Sequence, residues 1–150
     1  ITLTQPLKVR KVEEEGQFIG YSVNGTPADC VKLAITVLLE KAPKLVVSGI
    51  NKGGNLGICA LYSGTVSAAT EAMVMGVPSI AVSLDTYEKP DFRPAAKFTR
   101  KLIPKIFEKL RGYPIKTARY CKSQKNIAKK RSPKATTTDS KIVEYPSIKH

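Results

Sequence analysis

The chain has 150 residues, 42% of them hydrophobic, with 25 Lys and Arg against 12 Asp and Glu and a formal net charge of +13. That length suits one domain, and no apolar run approaches the twenty residues of a membrane-spanning helix, so no membrane role is expected. Cys30, Cys59 and Cys121 form no even set and lack metal-ligand spacing, which argues against a disulfide framework and for free thiols in a reducing, cytoplasmic setting.

Read in chain order, residues 2–12 alternate roughly as a strand through Leu3, Leu7 and Val9. They turn at residues 13–16 and pair as a hairpin with residues 17–23, which Asn24-Gly25 ends. A helix then opens with Thr26 as N-cap, Pro27 at the first helical position and Asp29 at the third. It is expected to reach about Glu40 with Val31, Ala34, Ile35, Leu38 and Leu39 inward, and Cys30 in the core. Residues 45–47 read as a short buried strand, and Ser48-Gly49-Ile50-Asn51 begins a loop rich in Gly and Asn.

The next helix runs from Ser63 to Met75, and its small residues Ala68, Ala69 and Ala72 permit close packing on a sheet. Gly76 caps it and Pro78 bars continuation. Residues 78–84 form a buried parallel strand. Asp91 to Leu110 is a long helix whose core face carries Phe92, Ala95, Phe98, Leu102, Ile106 and Phe107, with Pro104 expected to kink or split it. Strand-helix-strand-helix order implies right-handed crossovers and a parallel α/β sheet with helices on both faces. Residues 111–150 differ: eleven Lys and Arg face Asp139 and Glu144, a net +9 in a Ser/Thr/Pro/Lys-rich stretch that reads as a disordered tail.

The most informative segment is 48–84. A loop after a strand, followed by a helix start with small hydroxyl residues, is where α/β proteins bind phosphate. Asn51 and Asn55 lie in that loop, where an amide can ligate a hard cation, donate to phosphate, or simply stabilise a turn. Ser63 suits a helix N-cap as well as it suits a phosphate donor.

The order of Gly25-Thr26-Pro27-Ala28-Asp29-Cys30-Val31, Ser48-Gly49-Ile50-Asn51, Asn55-Leu56-Gly57, Tyr62-Ser63-Gly64-Thr65-Val66 and Pro78-Ser79-Ile80-Ala81-Val82-Ser83-Leu84 resembles the SurE family of metal-dependent 5′/3′-nucleotidases. The resemblance spans roughly residues 1–110 and implies a three-layer, Rossmann-like, mostly parallel α/β sheet, here incomplete. It implies a phosphomonoesterase acting on nucleoside monophosphates with Mg²⁺ or Mn²⁺. By that resemblance Asn51 is the metal-ligating amide, while Asn55, Ser63, Gly64 and Thr65 line the substrate and phosphate pocket. A homo-oligomer is implied too.

The family's main metal ligands are an aspartate pair in an Asn-Asp-Asp run, and no Asp-Asp pair occurs in this sequence. A divalent cation wants several anionic oxygens, so metal binding is expected to be weak. The expected account is a fragment without its first strand-helix-strand unit, of poor independent stability and possessing a hydrophobic sheet edge. Two alternatives accompany the enzyme reading: a non-catalytic remnant, and a basic tail that binds nucleic acid non-specifically, with Kd of roughly 10⁻⁴ to 10⁻⁶ M.

Overall fold

The computed structural model describes residues 1, 2 and 4–111, so Leu3 of the expected first strand and the basic stretch from residue 112 onward lie outside the described residues. Strand β1 (Val9–Glu14) pairs antiparallel with β2 (Gln17–Val23), setting Val9 opposite Val23 and Glu14 opposite Gln17. Glu15 and Gly16 join them with φ of +49° and +77°, the pair of left-handed residues that a tight hairpin turn requires. The hairpin starts at Val9 rather than near residue 2.

Helix α1 (Pro27–Leu33) begins as its sequence dictates. Thr26 Oγ1 accepts from the Asp29 amide at 3.2 Å, and the Asp29 carboxylate accepts from the Thr26 amide at 2.8 Å. This reciprocal capping satisfies two donors that a helix start otherwise leaves open. The α-helix is shorter than expected. It widens into one π-helical turn over Ala34–Leu38, closed by the Leu39 amide on the Ala34 carbonyl at 2.9 Å. Leu39, expected inward, is exposed beyond that turn, and Cys30 is half-buried. Burial pushes the Cys30 thiol up, and the Asp29 carboxylate beside it adds to the effect, so the reactive thiolate is disfavoured.

Strand β3 (Val46–Lys52) is longer than the apolar run that announced it and takes in the whole Ser48–Asn51 motif. It pairs in parallel with β4 (Ser79–Leu84), and the crossover between them carries a 3₁₀ helix at Gly57–Tyr62 and then α2 (Gly64–Val74). The 3₁₀ turn has no counterpart in the sequence reading. Ala68, Ala69 and Ala72 of α2 are buried as their size predicts, and Ile35, Ala72, Met75 and Val77 form the core cluster, with Val31, Ala42 and Val46 against it.

Ser79 Oγ donates to the Ala69 carbonyl of α2 at 2.6 Å. Alternation along the strand then turns Ile80, Val82 and Leu84 to the opposite face. There α3 (Arg93–Leu110) lies over a cavity of about 610 Å³ lined by Ile80, Val82, Leu84, Ala95, Phe98 and Leu102. Helices thus cover both faces of the parallel pair. Helix α3 starts at Arg93 rather than Asp91, because the Asp91 carboxylate sits before the helix and accepts from the Arg93 amide at 3.0 Å. It runs through Pro104 without splitting.

Its apolar stripe is less covered than expected: Thr99 is its one buried residue, and Phe98 is 67% exposed. Val47 on β3 is also exposed, and among the described residues β3 and β4 have no strand partner besides each other. Among the described residues no helix is long and apolar enough to cross a membrane.

Candidate functional site at the ends of the parallel strands

The register of β3 on β4 decides where Asn51 points. Ser48 pairs with Ala81 and Asn51 pairs with Ser83, so Gly49 and Ile50 together face Val82 alone. That is a bulge, two residues opposite one. In a regular strand Ser48 and Asn51, three apart, would face opposite sides of the sheet. The extra residue brings them to one face, the face of Ser79 and Ser83 and of α2. Gly49 makes the bulge possible: its φ is +116°, and a Cβ there would fall on the Val82 carbonyl oxygen.

With that turn made, Asn51 meets the start of α2. Its Nδ2 donates to the carbonyls of Lys52 at 3.2 Å and Gly53 at 2.9 Å, and its Oδ1 accepts from the Thr65 hydroxyl at 3.3 Å. Two carbonyls on one side fix which end of the amide is nitrogen. The oxygen therefore faces the helix entrance.

Ser63 is the N-cap of α2, its Oγ accepting from the Val66 amide at 3.2 Å, and it is buried. Both sequence readings of Ser63 concern this one place, and the capping one is seen directly. Gly64 packs on Pro27 at the start of α1, where an added Cβ would stand 3.1 Å from the proline ring. Two helix beginnings are thereby set side by side. Amides of the first turn lack intrahelical acceptors and carry the positive end of the helix dipole, so this entrance favours an anion.

Asn55 goes elsewhere. Its Nδ2 donates to Ser83 Oγ at 2.6 Å, reaching the end of β4 rather than the helix start. Ser83 is thus the residue that sequence reasoning missed: it pairs with Asn51 in register and bonds Asn55 from the neighbouring strand end. Its only signal in the sequence is its place at the close of the Pro78–Leu84 segment. The loops after β3 and β4 also meet here. The Gly53 amide donates to the Leu84 carbonyl at 2.9 Å, the Tyr87 ring lies where a Cβ on Gly53 would be, and Asp85 Oδ1 would stand 2.6 Å from one on Gly54.

A divalent cation is not provided for by these groups alone. Asn51 offers one neutral oxygen that already accepts from Thr65, and among the described residues no three His, Cys, Asp or Glu gather at one place. Hard cations take six or more oxygens, several of them anionic.

The family model described as Survival protein SurE matches residues 1–145, extending past residue 110, where the sequence reading ended the resemblance. The chain is 56% identical over 112 residues to the 5′-nucleotidase SurE of Syntrophus aciditrophicus, an alignment covering 73% of this chain and 42% of that protein. It is 50% identical over 103 residues to the 5′-nucleotidase SurE of Syntrophobacter fumaroxidans, covering 69% and 41%. The crystal structure of SurE protein from Aquifex aeolicus superposes with a TM-score of 0.66 at 45% identity, over 77% of this chain and 45% of that one. The chain thus spans less than half the length of the relatives it matches.

Proposed function

Because this chain belongs to the Survival protein SurE family, we propose that it binds the phosphate of nucleoside monophosphates where β3, β4 and α2 converge, as part of a nucleotidase-type phosphomonoesterase. One observation carries the reading most: the Thr65 hydroxyl on the Asn51 amide oxygen, which joins a strand-end amide to a helix entrance. In an open parallel sheet the carboxyl ends of the strands are where ligands bind, and Asn51, Ser83 and the loop holding Asn55 all lie there. The named activity of the relatives, 5′-nucleotidase, supplies the substrate class.

In this reading the first-turn amides of α2 hold phosphate oxygens and the Ser63 hydroxyl adds a donor, while the Thr65 hydroxyl, whose proton goes to Asn51, holds that amide at the helix entrance. Asn55 contributes its second N–H. Preorganised donors of this kind stabilise charge that develops on a transferring phosphoryl group. No step is assigned to a metal ion, because the oxygens described above do not form a cation site. A second reading, nucleotide binding without hydrolysis, rests on the lack of any gathered acidic set among the described residues.

Calorimetry on the 150-residue chain with AMP and with inorganic phosphate tests the reading. Binding of AMP is expected, weakened about five- to tenfold by Thr65→Val, on the scale of one lost hydrogen bond. Titration with Mn²⁺ in the absence of nucleotide is expected to give no saturable binding below millimolar concentrations. No heat from AMP or phosphate at millimolar concentration would remove the proposal. Phosphate release from AMP with Mn²⁺ would decide for catalysis over binding.

A further inference from the structure

We propose that Ser83 is a positioning residue: its hydroxyl tethers the Asn55 amide, and so the tip of the glycine-rich loop, over the strand end that carries Asn51. The inference rests on the proposed function and adds a residue to its site. Asn55 stands in a segment containing Gly53, Gly54 and Gly57, and glycines give a loop the largest conformational freedom of any residue. Near its base the loop is held by the Gly53 amide on the Leu84 carbonyl at 2.9 Å and by the Asn51 amide on the Gly53 carbonyl. Farther along, the described side-chain bond that reaches back to the sheet is the one from Asn55 Nδ2 to Ser83 Oγ at 2.6 Å, across 28 residues of sequence.

The chemistry of an amide makes that tether matter. One end of the Asn side chain donates and the other only accepts, so a freely turning Asn55 presents its oxygen to an anion as readily as its nitrogen. An acceptor that engages one N–H sets the amide plane and leaves the other N–H for a ligand. Ser83 is suited to this because it sits on a strand rather than a loop. Its Cα is fixed by pairing with Asn51, and groups held on regular elements keep their geometry better than loop groups do. Ser83 need not touch the ligand.

The test is calorimetric titration of AMP into the wild-type chain and into Ser83→Ala, Ser83→Val and Ser83→Thr, alongside the NMR signals of the Asn55 side-chain amide. Ser83→Ala and Ser83→Val are expected to weaken AMP binding about fivefold, the effect of one hydrogen bond, and to shift the Asn55 amide signals. Thr and Val have nearly the same shape, so Ser83→Thr, which keeps the hydroxyl, is expected to bind within about twofold of wild type; a role in folding alone would not separate the two. This pair also decides the matter if Ser83→Ala does not fold. Wild-type binding that Ser83→Val leaves unchanged overturns the inference while sparing the proposed function. A wild-type chain that binds no AMP overturns the proposed function and takes this inference with it.

Discussion

Gly49→Ala is expected to destabilise the chain by about 3–5 kcal/mol, read as a fall in the urea midpoint at unchanged slope, and to abolish AMP binding in whatever folded fraction remains. Two penalties combine. A φ of +116° is open to glycine and strained for any L side chain. The added Cβ would also collide with the Val82 carbonyl oxygen, a backbone atom that cannot swing aside. Relief would require β3 to move off β4 or the bulge to disappear, and losing the bulge turns Asn51 to the opposite face, away from Thr65. Gly16→Ala is the matched control. Gly16 also has positive φ, +77°, but nothing lies within 4 Å of where its Cβ would be, so its cost is expected to be about 1 kcal/mol. If the two variants cost the same, the clash with Val82 is not what makes Gly49 necessary.

The same bulge shows why part of the site was hidden in the sequence. Ser-Gly-Ile-Asn reads as loop because Gly and Asn favour turns. A bulged strand uses the same residues for the same conformational reason, and local chemistry does not tell the two apart. What distinguishes them is the pairing partner, Ala81 to Ser83, which lies thirty residues downstream. Ser83 was overlooked on similar grounds: a serine in a strand has no local mark, and its importance arises only where Asn55 folds back onto it. By contrast, the Thr26-Pro27-Asp29 helix start was fully legible, since capping is a contact between residues three apart.

Periodicity also has a limit that α3 makes plain. The apolar stripe of Ala95, Phe98, Leu102 and Ile106 was readable from spacing, and Ala95, Phe98 and Leu102 do border the space under the helix. Spacing states which side of a helix avoids water, not how completely another element covers it. Phe98 therefore lines the cavity while two-thirds of it stays exposed. The alanines of α2 show that residue size can inform where periodicity is weak: Ala68, Ala69 and Ala72 are buried as their size predicts, because small side chains let the helix sit close against the sheet.

Asp29→Ala is expected to cost about 2–4 kcal/mol, the scale of lost hydrogen bonds to a charged acceptor together with the donors left unpaired. Asp29 is 2% exposed and accepts from both donors of Thr2 and both of Thr26. The Thr2 amide reaches it at 2.9 Å, the Thr2 hydroxyl at 2.7 Å, and the Thr26 amide and hydroxyl each at 2.8 Å. It therefore ties the chain before β1 to the start of α1, and α1 in turn carries Pro27, on which Gly64 and the entrance of the candidate site rest. Burial pushes the carboxyl's pKa up, but the bonds from Thr2 and Thr26 outweigh it and bring it from the usual 3.8 down to about 2. A carboxyl that binds its proton more weakly when folded stabilises the fold at pH values above its unfolded pKa. That contribution, about 2 kcal/mol, is complete by about pH 5 and disappears as the pH falls from about 4 through 2. Urea unfolding of the wild type at pH 6 and pH 2.5 should record most of that loss. Asp29→Asn, which is isosteric and cannot ionise, should be less stable than wild type at pH 6 and should approach it at pH 2.5. An equal pH dependence in the two proteins would mean that the carboxylate on Thr2 and Thr26 contributes nothing to the fold, and that the junction of β1, α1 and the site entrance is held by packing alone.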